Sequence, residues 1–352
     1  MDRKIAVVGA GAMGGNIGAA LTRAGLDVAI FDQWPQHVEA MKANGIRVTL
    51  AGEESVTRVR AHHLCEFASL NAKFDIVLLT VKSYDTCWLA ALINPYLESD
   101  GVLVGVQNGM NDAANAAMVG PERTIGCVVE LSGEVFTPGA AKRNTSHSNT
   151  WFWIGELDGT MTPRLDEISV ILSHVGRAEI SDNILGAKWT KLVANSMTTP
   201  FSALGIPNQQ ALEVPGMIEF SAQVGHESFT VGAALGYRIE TLFGLTAQEM
   251  AGSGLDAALA VMRQMCREIG PNGRNHAIHD HIKGRLSEIN MINGLVVREG
   301  TRLGIATPYN AAVVEIDRQI HNGALMMDQR NLKALETAAA LGELKPIDSA
   351  AE

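Results

Sequence analysis

Lys4-Ile5-Ala6-Val7-Val8-Gly9-Ala10-Gly11-Ala12-Met13-Gly14 is a short apolar strand that runs into a G-x-G-x-x-G turn. A helix-forming run from Asn16 to Ala24 follows at once. A second apolar strand, Asp27-Val28-Ala29-Ile30-Phe31, then ends at Asp32. Each part has a physical role. Gly9 permits the tight turn, Gly11 lets backbone approach a pyrophosphate, and Gly14 lets helix and strand pack closely. The N–H groups at the helix start face the anion. The glycine pattern alone is weak, but strand, helix and a correctly spaced acid together predict a dinucleotide loop. The plainer reading is a glycine-rich turn in an unrelated α/β domain. A carboxylate at Asp32 accepts hydrogen bonds from ribose hydroxyls and repels a 2′-phosphate. The residues after it, Gln33-Trp34-Pro35-Gln36, offer no Arg or Lys to neutralise such a phosphate. The expected cofactor is therefore NAD, in preference to NADP. An ordinary loop aspartate is the alternative for Asp32.

The 352 residues suffice for two domains with sizeable cores. Hydrophobic residues make up 47% and charged residues 19%, the profile of a soluble globular chain. A net charge of −10 argues against nucleic-acid and anionic-membrane partners, but does not forbid an anionic small molecule. The four cysteines, Cys65, Cys87, Cys127 and Cys266, show no metal-ligand spacing and read as buried free thiols in a reducing compartment. His276, His279 and His281 lie in one short run that is not a spaced zinc motif, so no metal is expected. The first strand begins by Lys4, leaving no room for a signal peptide, and no apolar run is long enough to span a bilayer. The expected location is cytoplasmic.

The first half alternates in period. Strand-like runs at Lys4–Val8, Val28–Phe31, Phe74–Val81 and Val102–Val106 are separated by helical segments that include 35–44 and 84–97. Phe74–Val81 is almost continuously apolar, as a parallel strand covered on both faces must be. The prediction is an α/β fold: an N-terminal doubly wound Rossmann-type domain followed by an all-α C-terminal domain. Trp151-Phe152-Trp153, ending in Gly155, reads as an antiparallel extension at the edge of the first domain. From about Asp182 onward Ala/Leu/Met-rich helical patterns dominate, broken at Pro200, Pro207, Pro215, Pro271 and Pro308. The expected domains are therefore 1–182 and 183–352, with a last helix at Asn331–Leu341 and a frayed polar tail.

Four further groups carry chemistry. Lys82 follows the strand ending at Val81, and Gln107-Asn108-Gly109 follows the strand ending at Val106. In an open α/β sheet the ligand lies beyond the carboxyl ends of the strands. Lys82 can meet phosphate or ribose there, and Asn108 can meet ribose or substrate. A surface lysine and a plain Asn-Gly turn are the alternatives. Lys191 and Asn195, in Lys188-Trp189-Thr190-Lys191-Leu192-Val193-Ala194-Asn195, share one helix face. Thr199 continues that face before Pro200 ends or bends the helix. A lysine beside an amide suits a site that binds an oxyanion and delivers a proton. A free lysine titrates near ~10.4, and desolvation can bring such a group toward roughly 7–8, where general-acid work is efficient. Lys191 also has a reading as a surface residue, and Lys188 is expected to be a solvated neighbour. In Ser287-Glu288-Ile289-Asn290-Met291-Ile292-Asn293-Gly294, Glu288 is placed to pair with the lysine. His276, Asp280 and Ser287 also read as ordinary polar helix positions.

In this order, the glycine loop, Val81-Lys82, Gln107-Asn108-Gly109, Trp189-x-Lys191-Leu192-x-x-Asn195 and Ser287-Glu288-Ile289 resemble the ketopantoate reductase (2-dehydropantoate 2-reductase) family. Asn293-Gly294 and Gly304-Ile305-Ala306-Thr307-Pro308-x-Asn310 fit it too, so the resemblance runs from residue 4 to about 312. It implies that Lys191 is the catalytic lysine, Asn195 the substrate-binding asparagine and Glu288 a glutamate near cofactor and lysine. Asn108 matches a cofactor-binding asparagine. The implied reaction is hydride transfer between nicotinamide C4 and the carbonyl carbon of a 2-oxo acid, with Lys191 protonating the nascent alkoxide in a closing interdomain cleft. The candidate cofactor set is thus Gly9, Ala10, Gly11, Ala12, Met13 and Gly14 in the loop, with Asp32, Lys82, Asn108, Ser132 and Glu288 beyond it. Substrate candidates are Asn195, Thr199, His276 and Asn108.

Three departures separate this sequence from the pantoate-forming pattern. Thr199 stands where those enzymes carry a second asparagine, His276 where they present a serine, and Asp32 where an NADP-type pocket is basic or neutral. The segment around Gly236–Arg274 is also longer than the family's. These changes point toward a different 2-hydroxy acid, with ketopantoate as the default. Rival readings are a β-hydroxyacid dehydrogenase, an opine-type dehydrogenase using His276 and Asp280, and a non-catalytic NAD-sensing protein. The first usually carries a D-x-P-V-S-G-G-like segment, which is absent between Thr124 and Gly139. Helices rich in Ala and Met permit a homodimer.

Overall fold

The computed structural model describes residues 3–241, 255–270 and 272–342. The chain divides into two compact units, Met1–Lys188 and Trp189–Glu352. Twelve strands belong to the first: β1 (Lys4–Val8), β2 (Asp27–Asp32), β3 (Ile46–Leu50), β4 (Glu53–Thr57), β5 (Arg60–His63), β6 (Phe74–Leu79), β7 (Leu97–Val106), β8 (Thr124–Glu130), β9 (Gly133–Thr137), β10 (Ala140–Arg143), β11 (Trp151–Glu156) and β12 (Arg177–Ile180).

The main sheet has the order β12-β11-β8-β7-β6-β1-β2-β5. From β5 to β8 every pairing is parallel, and β11 alone joins antiparallel, to β8. The chain runs outward one way through β2 and β5 and the other way through β6, β7 and β8. The order reverses between β1 and β6, the switch point at which such sheets bind ligands. Side chains alternate between two cores. Ile5, Val7, Ile76, Leu78, Val102 and Val104 face one, while Ala6, Val8, Val77, Leu79 and Leu103 face the other. The Ala12–Arg23 helix closes the first with Ile17 and Leu21, and the Thr86–Ile93 helix closes the second with Leu89 and Ile93. Burying a side chain of this size contributes about 1.5–3 kcal/mol. Both faces therefore need cover, which is why these strands read as unbroken apolar runs.

Several expectations are corrected. The Trp151–Glu156 strand is antiparallel to β8, but β12 lies outside it, so it is not an edge. The helix expected at 84–97 ends at Ile93, because Pro95 opens a short 3-10 turn and Leu97 already belongs to β7. A second sheet, β4-β3-β10-β9, was not anticipated. Cys65 and Cys87 are exposed, and only Cys127 and Cys266 are buried. Burial pushes the Cys127 thiol up to about 12 and Cys266 to about 11.

Among its described residues, the regular elements of the second unit are all helices. The Ile184–Thr198 helix begins in the first unit and continues into the second. It stops just ahead of Pro200, Pro207 precedes the Asn208–Ala211 turn, and Pro308 takes the first position of the Pro308–His321 helix. Pro271, much of the longer segment (242–254) and the polar tail lie outside the described residues. Among those that are described, no helix is long and apolar enough to cross a membrane, and no cluster of three or more His, Cys, Asp or Glu could hold a metal ion.

Candidate active site

In the first unit the sequence-predicted loop sits at the carboxyl end of β1. Gly9 has φ +98°, and its N–H donates to the Phe31 carbonyl of β2 at 2.8 Å. A methyl group on Gly14 would collide with the Gly9 carbonyl oxygen and the Thr80 hydroxyl, so helix and strand meet there at glycine contact. Gly11 is different: a methyl group there meets nothing within 4 Å. The Ala12–Arg23 helix starts at Gly11 without a side-chain cap and without an acid in its first turn. An open approach to uncapped N–H groups at a positive helix end is what a pyrophosphate needs. The loop fits the phosphates of a dinucleotide.

Asp32 ends β2 and is tied to the loop. Its Oδ2 accepts the Ala10 N–H at 2.6 Å and its Oδ1 the Trp34 N–H at 2.7 Å. A carboxylate holds about four acceptor positions, which leaves capacity for ribose hydroxyls. His37, which sequence reasoning missed, braces the same turn. It is 1% exposed, and its Nδ1 accepts the Gly139 N–H at 2.9 Å. The proton therefore sits on Nε2, which donates to the Ala10 carbonyl at 2.9 Å. Only the fold brings the β9–β10 turn to residue 10, so no sequence signal marked this histidine.

The remaining first-unit candidates lie past neighbouring strands. Lys82 is half-buried beyond β6. Gln107, beyond β7, donates to the Val81 carbonyl (3.0 Å) and to Thr86 Oγ1 (2.8 Å), which ties the two loops together. The Asn108 carbonyl accepts from Asn111 Nδ2 (2.7 Å) and Ser83 Oγ (3.2 Å), which fixes the turn that presents Asn108. Ser132 follows β8. Its hydroxyl accepts from Asn144 Nδ2 at 3.1 Å, and the adjoining Gly133 packs on the Ala12 carbonyl and Asn16 at the start of the dinucleotide helix.

In the second unit Lys191 and Asn195 stand one turn apart on the Ile184–Thr198 helix, 6% and 8% exposed. Asn275 ties the His276–Ile282 helix to the end of that helix. Its side chain accepts the Ala277 N–H at 3.0 Å and donates to the Thr198 carbonyl at 3.1 Å, which anchors the helix start where His276 lies. Glu288, 4% exposed, is the residue just before the Ile289–Leu303 helix, with no side-chain capping bond to that helix. One turn into that helix, Asn293 Oδ1 accepts the Thr199 hydroxyl at 2.8 Å. The three helices that bear Lys191, His276 and Glu288 are thus pinned to one another. Thr199 is fully buried with its hydroxyl turned to Asn293 and Ser196, in the packing rather than on a surface.

Asn310 explains the closing motifs. Its Oδ1 accepts from Asn293 Nδ2 (3.0 Å) and its Nδ2 donates to Glu227 (2.8 Å). Glu227, another residue the sequence reading missed, also accepts the Tyr309 and Asn310 N–H groups. Lys188 is corrected outright. It is 3% exposed and paired with Asp112 within the first unit, not solvated.

Comparisons with known proteins identify a family. The profile of ketopantoate reductase PanE/ApbA matches residues 5–159, and that of its C-terminal domain matches residues 183–321. The chain belongs to the ketopantoate reductase family. It is an oxidoreductase that works with a nicotinamide cofactor. Among relatives, the 2-dehydropantoate 2-reductase of Archaeoglobus fulgidus is 28% identical over 91% of this chain and 99% of its own length. Among solved structures, the PanE/ApbA family ketopantoate reductase of Ralstonia eutropha superposes with a TM-score of 0.75 at 28% identity, covering 91% and 99% of the two chains. D-mandelate dehydrogenase with NADH and anilino(oxo)acetate gives 0.78 at 22% identity over 91% and 99%, a likeness of fold. The family's two domains map onto the Rossmann-type sheet and the helices that follow it.

Proposed function

We propose that this ketopantoate reductase family member reduces a 2-oxo acid with NADH, or oxidises the matching 2-hydroxy acid. The observation that carries the reading is the pair Lys191 and Asn195, one helical turn apart and both more than nine-tenths buried. One turn apart on one helix face, a lysine and an amide offer a proton donor and a hydrogen-bond donor side by side to a single small acid. When bound, the nicotinamide supplies or accepts the hydride at the carbonyl carbon. The chain's own residues do the rest. Lys191 Nζ gives a proton to the substrate oxygen as it gains negative charge, and takes it back in the reverse direction. Asn195 donates a hydrogen bond to the same acid, and Glu288 holds the lysine in place and returns its proton.

Asp32 supports NADH over NADPH. The loop fixes its carboxylate through Ala10 and Trp34, and residues 33–36 provide no cation to receive a 2′-phosphate. Substrate contacts in the helical unit fall to Asn195 and His276, since the Thr199 hydroxyl is committed to the packing. 2-Dehydropantoate, the substrate in the relatives' names, is the default 2-oxo acid. We assign a homodimer as the assembly, to be measured by light scattering.

The test is steady-state reduction of 2-dehydropantoate and a panel of other 2-oxo acids with NADH and with NADPH. It is paired with NADH binding and turnover by Lys191→Ala. Normal NADH binding with turnover lost is the expected result. A Lys191→Ala protein that turns over at the wild-type rate removes the lysine from the mechanism.

A further inference from the structure

The residue ahead of Glu288 is gripped by a carboxylate from another helix. Ser287 Oγ donates to Asp317 Oδ2 at 2.7 Å, and the other oxygen, Oδ1, accepts from His281 Nε2 at 2.8 Å. The side chains of His281 and Asp317 are 3% and 13% exposed. One carboxylate therefore ties the His276–Ile282 helix, the loop before Glu288 and the Pro308–His321 helix. The Ser287 oxygen does a second job. It accepts the Ile289 N–H at 3.2 Å, so one hydroxyl holds the backbone on both sides of Glu288. Glu288 itself sits at φ −91°, ψ 7°, and its carbonyl receives the Met291 and Ile292 N–H groups.

The three side chains are those of a nucleophilic triad, but the geometry is not. The serine proton points to the carboxylate rather than to the imidazole, and His281 Nδ1 is buried with no hydrogen-bond partner among the described residues. The imidazole does not bond to Ser287, so the group is not the serine–histidine relay of a nucleophilic triad. What it does have is two hydrogen bonds to an ionisable carboxylate, the stronger kind, converging on one loop. A side chain used in catalysis must be held within about 0.5 Å of its working position.

We propose that Asp317, steadied by His281, is the positioning residue for Glu288 and acts through the Ser287 hydroxyl. The inference rests on the reading above that Glu288 works beside Lys191. Asp317 touches neither substrate nor cofactor in this assignment; its effect passes through one hydroxyl to the turn that carries the glutamate.

The experiment compares Ser287→Ala, Ser287→Thr, Asp317→Ala, Asp317→Asn and Glu288→Gln in the full chain. It measures kcat and KM for the best 2-oxo acid with NADH, and amide hydrogen exchange over residues 287–292 without ligand. Misplacing a catalytic group by about 1 Å can cost on the order of 100-fold. Ser287→Ala and Asp317→Ala are expected to lower kcat by about 10-fold or more, with KM little changed. Combined, they should cost no more than either alone, and Ser287→Thr, which keeps the hydroxyl, should restore most of the rate. Both alanine variants should speed exchange at Ile289, Met291 and Ile292. In a Glu288→Gln background neither should lower kcat further.

The inference is overturned by an Asp317→Ala enzyme with full kcat, or by the same fold-loss with and without Glu288, which is the pattern of general destabilisation. If Asp317→Ala does not fold, Asp317→Asn, which keeps the size but loses the charge, reads the same comparison. Glu288→Gln with undiminished turnover sinks the role of Glu288 and the positioning claim with it. A slow Glu288→Gln that fails to absorb the Asp317 effect sinks the positioning claim alone.

Discussion

Lys188 Nζ lies 2.8 Å from one carboxylate oxygen of Asp112 and 2.9 Å from the other, with both side chains 2% exposed. The pair locks the first turns of the Ile184–Thr198 helix onto the Asp112–Val119 helix of the first unit. Removing one partner of a buried pair leaves an uncompensated charge and costs about 3–5 kcal/mol. Replacing both with apolar residues of similar volume is often neutral. Lys188→Met alone should therefore lose about 3–5 kcal/mol in urea unfolding, and Lys188→Met with Asp112→Leu should recover most of it. A double variant as unstable as the single one would mean that the charges act through other partners.

Two glycines of the same loop should behave differently. A methyl at Gly14 strikes the Gly9 carbonyl and the Thr80 hydroxyl, while a methyl at Gly11 points into open space. Gly14→Ala should lower the melting temperature and abolish NADH binding together. Gly11→Ala should melt as the wild type does and still weaken NADH by about 10-fold or more, since it occupies the approach of the pyrophosphate. Calorimetry and fluorescence titration separate the two. Unweakened NADH binding by Gly11→Ala would place the pyrophosphate elsewhere.

Much of the first unit could be read in advance because its strands are buried on both faces. The 35–44 helix begins at a proline, which marks its start, and the structure has it at Pro35–Asn44. Asn331–Leu341 likewise stands where its pattern put it. The second sheet was illegible for the opposite reason. The residues of β4, Glu-Glu-Ser-Val-Thr, are mostly exposed and lack the apolar alternation of a half-buried strand. The burial of Lys188 could not be inferred locally, because Asp112 is 76 residues away in sequence. His37 and Glu227 were missed on the same ground. The bonds from Gly139 to His37 and from Tyr309 and Asn310 to Glu227 span 82 residues or more, and the local stacking of His37 on Trp34 gave no hint of them.

Cofactor choice should follow Asp32. Because its two oxygens hold the Ala10 and Trp34 N–H groups, Asp32→Ala removes a loop anchor as well as a ribose acceptor. Asp32→Asn keeps an acceptor but loses the charge. Asp32→Asn should raise KM for NADH and lower it for NADPH, moving the ratio of kcat/KM values toward NADPH by about 10-fold. Asp32→Ala should weaken both cofactors. An unchanged NADH/NADPH ratio in Asp32→Asn would show that the 2′ position is read by another residue.

Glu227 makes a pH-dependent prediction. Burial raises its carboxyl above the ordinary 4.5, against the opposing pull of the Asn310 and Tyr309 donors. A carboxyl raised on folding binds its proton more tightly in the folded chain. Its contribution to stability is therefore fully present below the unfolded value near 4.5 and falls as pH rises through the folded value. The advantage of wild type over Glu227→Gln should accordingly be largest below pH 4.5 and shrink as the pH is raised. Glu227→Ala should cost about 3 kcal/mol at every pH above that window, because two backbone N–H groups at the start of the Pro308–His321 helix and the Asn310 amide lose their acceptor. Urea unfolding of wild type and both variants across pH 4 to 8 checks the sign. An advantage over Glu227→Gln that grows with pH would mean that the three donors outweigh burial, and that the carboxylate is stabilised by the helix it caps.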